Sequence, residues 1–103
     1  MNIRVLAGFA ALSAGLLTVS SPVSAYSGQE MEKNAKISMQ EASASALKAR
    51  PGRITDRELE QERGGSGLRY SFDVKSHGTI YEVGVDAMTG KVLENDLEGK
   101  NPD

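Results

Sequence analysis

The sequence predicts an α+β domain, with one N-terminal helix packed on a three- to four-stranded antiparallel meander sheet. Three observations carry that reading. Ser38-Met39-Gln40-Glu41 has the form of a helix-capping box ahead of an apolar stripe, and Pro51-Gly52 stops the stripe. Residues 69–75 and 79–86 alternate apolar and polar side chains on either side of His77-Gly78, the pattern of two strands joined by a short turn. Asp86 and Gly90 then supply a structural turn, Asp86 by accepting from amides further on and Gly90 by taking the positive φ needed to re-enter a ladder.

Ahead of the domain, residues 1–25 read as a cleaved signal peptide. A positive start ends at Arg4, an apolar run covers 5–19, and Val23 and Ala25 fit a signal-peptidase site before Tyr26. The run is shorter than the roughly 20 residues that span a bilayer, so no stable membrane anchor is expected after cleavage. The mature chain would keep 78 residues with eleven Lys and Arg against fourteen Asp and Glu, a net charge of −3. That balance argues against nucleic acid, which selects for a basic face. Cysteine is absent, so stability has to come from one modest core.

Residues 26–36 are polar and without period, and read as a flexible leader. The domain proper is expected over 37–94. Ser38 and Glu41 form the helix cap, Ile37 faces Ala42 as a staple, and Met39, Ala42, Ala46, Leu47 and Ala49 mark the apolar side. In residues 53–63 Glu58, Glu60 and Glu62 are strand-spaced. Residues 64–67, Gly-Gly-Ser-Gly, form a turn and not a phosphate loop, because no GxxxxGK[ST] pattern is present. Residues 95–103 read as an acidic disordered tail.

The turns imply registers. A two-residue loop at His77-Gly78 pairs Tyr70 with Val85, Phe72 with Val83 and Val74 with Tyr81. A loop at 64–67 pairs Leu59 with Phe72. The same registers set Glu58, Asp73 and Glu82 in one row on the outer face, where splayed side chains and salt reduce their repulsion. Three carboxylates on a flat sheet supply too few oxygens for calcium, and no metal or cofactor is expected.

The order of a capped helix with A-x-x-x-A-L, a P-G break, then E-L-E, R-Y-S-F-D-V and Y-E-V-G-V-D-A-M-T-G-K-V-L resembles the PepSY domain family over residues 37–93. The segment V-D-A-x-T-G-K-V is its most specific part. Two residues depart from the family pattern: Arg57 stands where an apolar residue is usual, and Gly84 leaves a gap in a core strand. The resemblance implies a non-catalytic module in an exported setting, with a suggested role in binding and restraining peptidases.

An enzyme is not expected. With no cysteine and one histidine, His77, sitting in a turn, neither a Cys-His pair nor a histidine-rich metal site can be assembled. The leading expectation is an exported protein-binding module, periplasmic rather than fully secreted, that restrains a peptidase or regulates an envelope protein. Its speculative partner face is Glu58, Asp73, Ile80, Glu82 and Gly84. The alternative is an accessory or sensing module for a small ligand or metal ion, and homodimerisation through an open edge is a further option. Asp86→Ala is expected to cost about 1 kcal/mol, by analogy with helix caps.

Overall fold

The computed structural model describes residues 25–99 of the 103. All of the expected signal peptide but Ala25, and residues 100–103, lie outside the described residues. The single α-helix, α1 (Met39–Ala49), begins where two donors are satisfied reciprocally. The Ser38 hydroxyl accepts from the Glu41 amide at 3.1 Å, and the Glu41 carboxylate accepts from the Ser38 amide at 2.8 Å. Arg50 ends the helix in an extended conformation (φ −139°, ψ 91°), as the residue before a proline must. Met39, Ala42 and Ala46 are its buried residues, and the two alanines let it lie close on the sheet.

Four strands follow in chain order: β1 (Arg53–Gln61), β2 (Leu68–Ser76), β3 (Thr79–Asp86) and β4 (Val92–Leu97). They pair antiparallel as neighbours in that same order, a meander with the helix across one face. The core between sheet and helix is built by Leu59, Tyr70, Phe72, Val74, Val83, Val85 and Ala87. Burying a Phe, Val or Leu side chain stabilises by about 1.5–3 kcal/mol, which is what selects this parity. The Tyr70 hydroxyl, carried into the core by its ring, donates to the Ile37 carbonyl at 2.7 Å. Burial raises its pKa to about 12, with the charges of Glu32 and Glu41 adding to the rise.

The central hairpin has Tyr70 opposite Val85, Phe72 opposite Val83 and Val74 opposite Tyr81. Its turn residues, His77 (φ 52°) and Gly78 (φ 79°), both have the positive φ that matches a two-residue loop to strand twist. The first hairpin departs from expectation by two residues. Leu59 faces Tyr70, and Arg57 faces Phe72. Six residues lie between the strand ends at Gln61 and Leu68; among them Glu62 donates to the Gly67 carbonyl at 3.1 Å, and Gly64, Gly65 and Gly67 all take positive φ to close the loop. A shift of two keeps every side chain on its own face, so the core pattern survives. A bulge at Thr55 ends the regular pairing, with Ile54 opposite Val74.

Two expected disordered segments are corrected. In the leader, residues 29–34 form a 3-10 turn, and Ser27 pairs in parallel with Glu58 while the Leu59 amide donates to the Ser27 carbonyl at 2.9 Å. Tyr26, Met31 and Ala35 pack against the core, and the Tyr26 hydroxyl donates to Glu32. The leader has no period because tertiary contacts, not an amphipathic face, hold it. At the other end residues 95–97 belong to β4, where Glu82 pairs with Asp96 and Tyr81 with Leu97. Asn95 bonds the Ala49 carbonyl and accepts from Arg50 at 3.0 Å, tying that strand to the helix end.

Candidate partner-binding surface

The sheet face away from α1 carries the charge. Across the strands the observed register aligns Asp56, Asp73, Glu82 and Asp96, one acid from each. Glu58 is not in that row; it lies one step along, opposite Ser71, in a row continued by Gly84 and Glu94. Two like charges at the ~4.8 Å strand spacing repel by about 0.9 kcal/mol even in water. The crowding shows in protonation. A hydrogen bond with Glu60, then burial, then the charges of Glu60, Asp56 and Asp73, raise Glu58 to about 7. Burial, the charge of Glu98, a hydrogen bond with it and the charge of Asp56 raise Asp73 to about 6.

Arg69 divides this acid field. Its side chain is held by Glu94 at 3.4 Å and Glu62 at 3.7 Å, and donates to the Arg63 carbonyl at 2.9 Å. It is only 8 % exposed, and its Nε has no partner. The arginine stem explains Gly84. A Cβ there would come within 2.8 Å of Arg69 Cδ, so the gap inferred from sequence is filled from within the sheet. Gly84 therefore does not mark an open place on the speculative partner face. Ile80 is half-buried opposite Lys75, and Ser71 donates to Glu60 at 2.7 Å. Arg57, paired with Phe72, has helix-side parity.

Asp86 does more than close its own turn. It accepts from the Met88 amide at 2.8 Å and the Thr89 amide at 3.1 Å, and Gly90 takes φ 79° to complete the loop. It also accepts from the Ser66 amide at 2.6 Å and the Ser66 hydroxyl at 2.9 Å, joining the β1–β2 loop to the β3–β4 turn. Burial alone would raise its pKa; the bonds from Ser66, Met88 and Thr89 outweigh that and bring it down to about 2. Asp86 and Gly90 thus close the turn, and Ser38 and Glu41 cap α1.

Sequence reasoning missed Asp56 and Asp96 in the acid row, and Ser66; it placed Arg69 as a compensating cation on a neighbouring row, where it pairs with Glu62 and Glu94, but not its burial. Had the glycine pattern been taken as a six-residue loop, the register would have set Asp56 beside Asp73. Nothing local pointed to Ser66, twenty residues from its partner.

Among the described residues no group of three or more His, Cys, Asp or Glu is arranged to hold a metal ion, and no helix is long and apolar enough to cross a membrane. A capped helix on a four-stranded antiparallel meander, with its chemistry confined to charge on the open face, defines a small α+β module. Residues 36–96 match the family model for the peptidase propeptide and YPEB domain, PepSY. That span is more than half of the chain, and the chain belongs to the PepSY family. Comparison with curated proteins and with solved structures found no match.

Proposed function

We propose that this chain is an exported, non-catalytic protein-binding module that restrains a peptidase or regulates a protein of the cell envelope, in the periplasm rather than free outside the cell. The observation that carries the reading is membership in a family described by peptidase propeptides, over most of the domain. The acid field on the open sheet face supports it, since such a face steers a basic partner and sets its orientation. Export follows from the positive start, the short apolar run and the small residues before Tyr26.

The experiment is capture. The protein is expressed from its full reading frame, its N-terminus is determined by mass, and it is crosslinked in envelope extract. A peptidase or envelope protein caught by wild type, and a lower peptidase rate when the purified pair is mixed, are the expected results. No protein capture, with a metal or small ligand raising the melting temperature instead, would make the module a ligand sensor.

A further inference from the structure

We infer that the edge of β1 between Ile54 and Glu58 receives an extended segment of a partner protein bearing basic side chains, which adds to the sheet as a fifth strand. This rests on the protein-binding function proposed above and names its site. The chain itself shows that the edge accepts a strand. Ser27 pairs there in parallel with Glu58, and the Leu59 amide donates to its carbonyl at 2.9 Å. Among the described residues this bridge is the leader's one strand pairing with β1. Beyond it lies an open groove of about 410 Å³, lined by Tyr26, Ile54, Thr55, Asp56, Arg57 and Glu58 among others.

Backbone groups of a strand alternate between its two neighbours. Since the Leu59 amide faces the edge, the amide of Arg57, two residues back, faces the groove, while the Arg57 carbonyl meets the Ser27 amide across the bridge. Such groups are the template for strand addition. The side-chain preference follows from charge. Asp56 and Glu58 both line the groove and Asp73 lies opposite Asp56 on the next strand. Of the two cations of β1, Arg53 stands at its start outside the lining, and Arg57 lines the groove, one base against the two acids there. A lysine or arginine on an incoming strand would add to the single counter-charge that Arg57 offers these crowded carboxylates. The opposite edge, β4, is instead fastened to the helix end through Asn95.

The test uses blocked peptides of alternating valine and lysine, and of alternating valine and glutamate, titrated at low salt into isotope-labelled protein expressed from the full reading frame. The lysine peptide should move the amide resonances of residues 25–28 and 53–59, and should bind at least about tenfold more tightly than the glutamate peptide. Arg57→Pro removes an edge-facing amide and no bond to β2, and should abolish binding even though it also removes a repelling cation. Asp56→Asn with Glu58→Gln, which leaves the backbone alone, should bring the lysine peptide down to the level of the glutamate peptide. Equal binding of the two peptides, no shifts at 53–59, or shifts centred on β4 would overturn the inference. Folding of each variant is read from unchanged resonances at the Tyr70–Val85 pair. Capture of a partner that Arg57→Pro leaves undiminished overturns this site while the protein-binding function stands. Absence of capture by wild type removes that function, and the peptide titration still reads the groove.

Discussion

Replacing Asp86 removes a side chain that holds two loops together. It accepts four hydrogen bonds, two from Ser66 and one each from Met88 and Thr89, and is 1 % exposed. Its pKa falls from 3.8 to about 2, which corresponds to about 2.5 kcal/mol favouring the ionised form in the fold. Asp86→Asn, which keeps the shape and loses the charge, should therefore cost about 2 kcal/mol. Asp86→Ala also leaves the amides of Ser66, Met88 and Thr89 without a protein acceptor, and should cost about 3 kcal/mol. That is well above the ~1 kcal/mol of a single cap, because a second turn depends on the same carboxylate. For a domain this small the alanine variant should melt roughly 12–24 °C lower. Urea and thermal denaturation followed by circular dichroism measure both. Because the folded pKa is depressed, this contribution is complete above pH ~4 and is lost as the pH falls through ~2. The wild type should lose stability over that acid interval, and Asp86→Asn should not. A cost below about 1 kcal/mol for alanine, or an unchanged acid limb in the asparagine variant, would refute the two-turn account.

The raised acids act with the opposite sign. Glu58 and Asp73 bind protons more tightly folded than unfolded, so stability should rise as pH falls from about 8 to about 5, and Glu58→Gln with Asp73→Asn should flatten that slope. Both are part-exposed, so solvent screening holds the effect to less than about 1 kcal/mol for each. Gly84→Ala should cost about 1–2 kcal/mol, since the new Cβ meets the middle of the Arg69 stem, whose guanidinium is fastened at three points. A melt equal to wild type would mean that Arg69 swings away without loss. Gly28→Ala should release the leader: Gly28 has φ 86°, and a Cβ would overlap the Leu59 carbonyl. Hydrogen exchange at the Leu59 amide should rise by about tenfold or more while amides of the Tyr70–Val85 pair stay protected. Unchanged protection at Leu59 would rule out the Ser27 bridge.

What could be read from the chain and what could not divides by the range of the interaction. The capping box at Ser38 and Glu41, the end of α1 ahead of Pro51, and the inward parity of Tyr70, Phe72, Val74, Val83 and Val85 all follow from residues within a few positions of one another. So does the central register, because His77 and Gly78 leave a two-residue turn a single way to bring the strands together. The first hairpin was read two residues off because its loop is closed by three glycines, and by Asp86 gripping Ser66 from another turn. No local rule counts those contacts. The leader and residues 95–97 looked disordered since order there comes from Leu59, Ala49 and the core surface, all distant in sequence. Gly84 appeared as an opening and is filled by Arg69 from the neighbouring strand. The sequence by itself thus determined the α+β class, the family and the buried face, which periodicity and turn chemistry encode locally. Tertiary structure decided the acid row, the buried arginine, the joined loops and the groove on the β1 edge, because each is made by backbone and side chains that meet only once the sheet has closed.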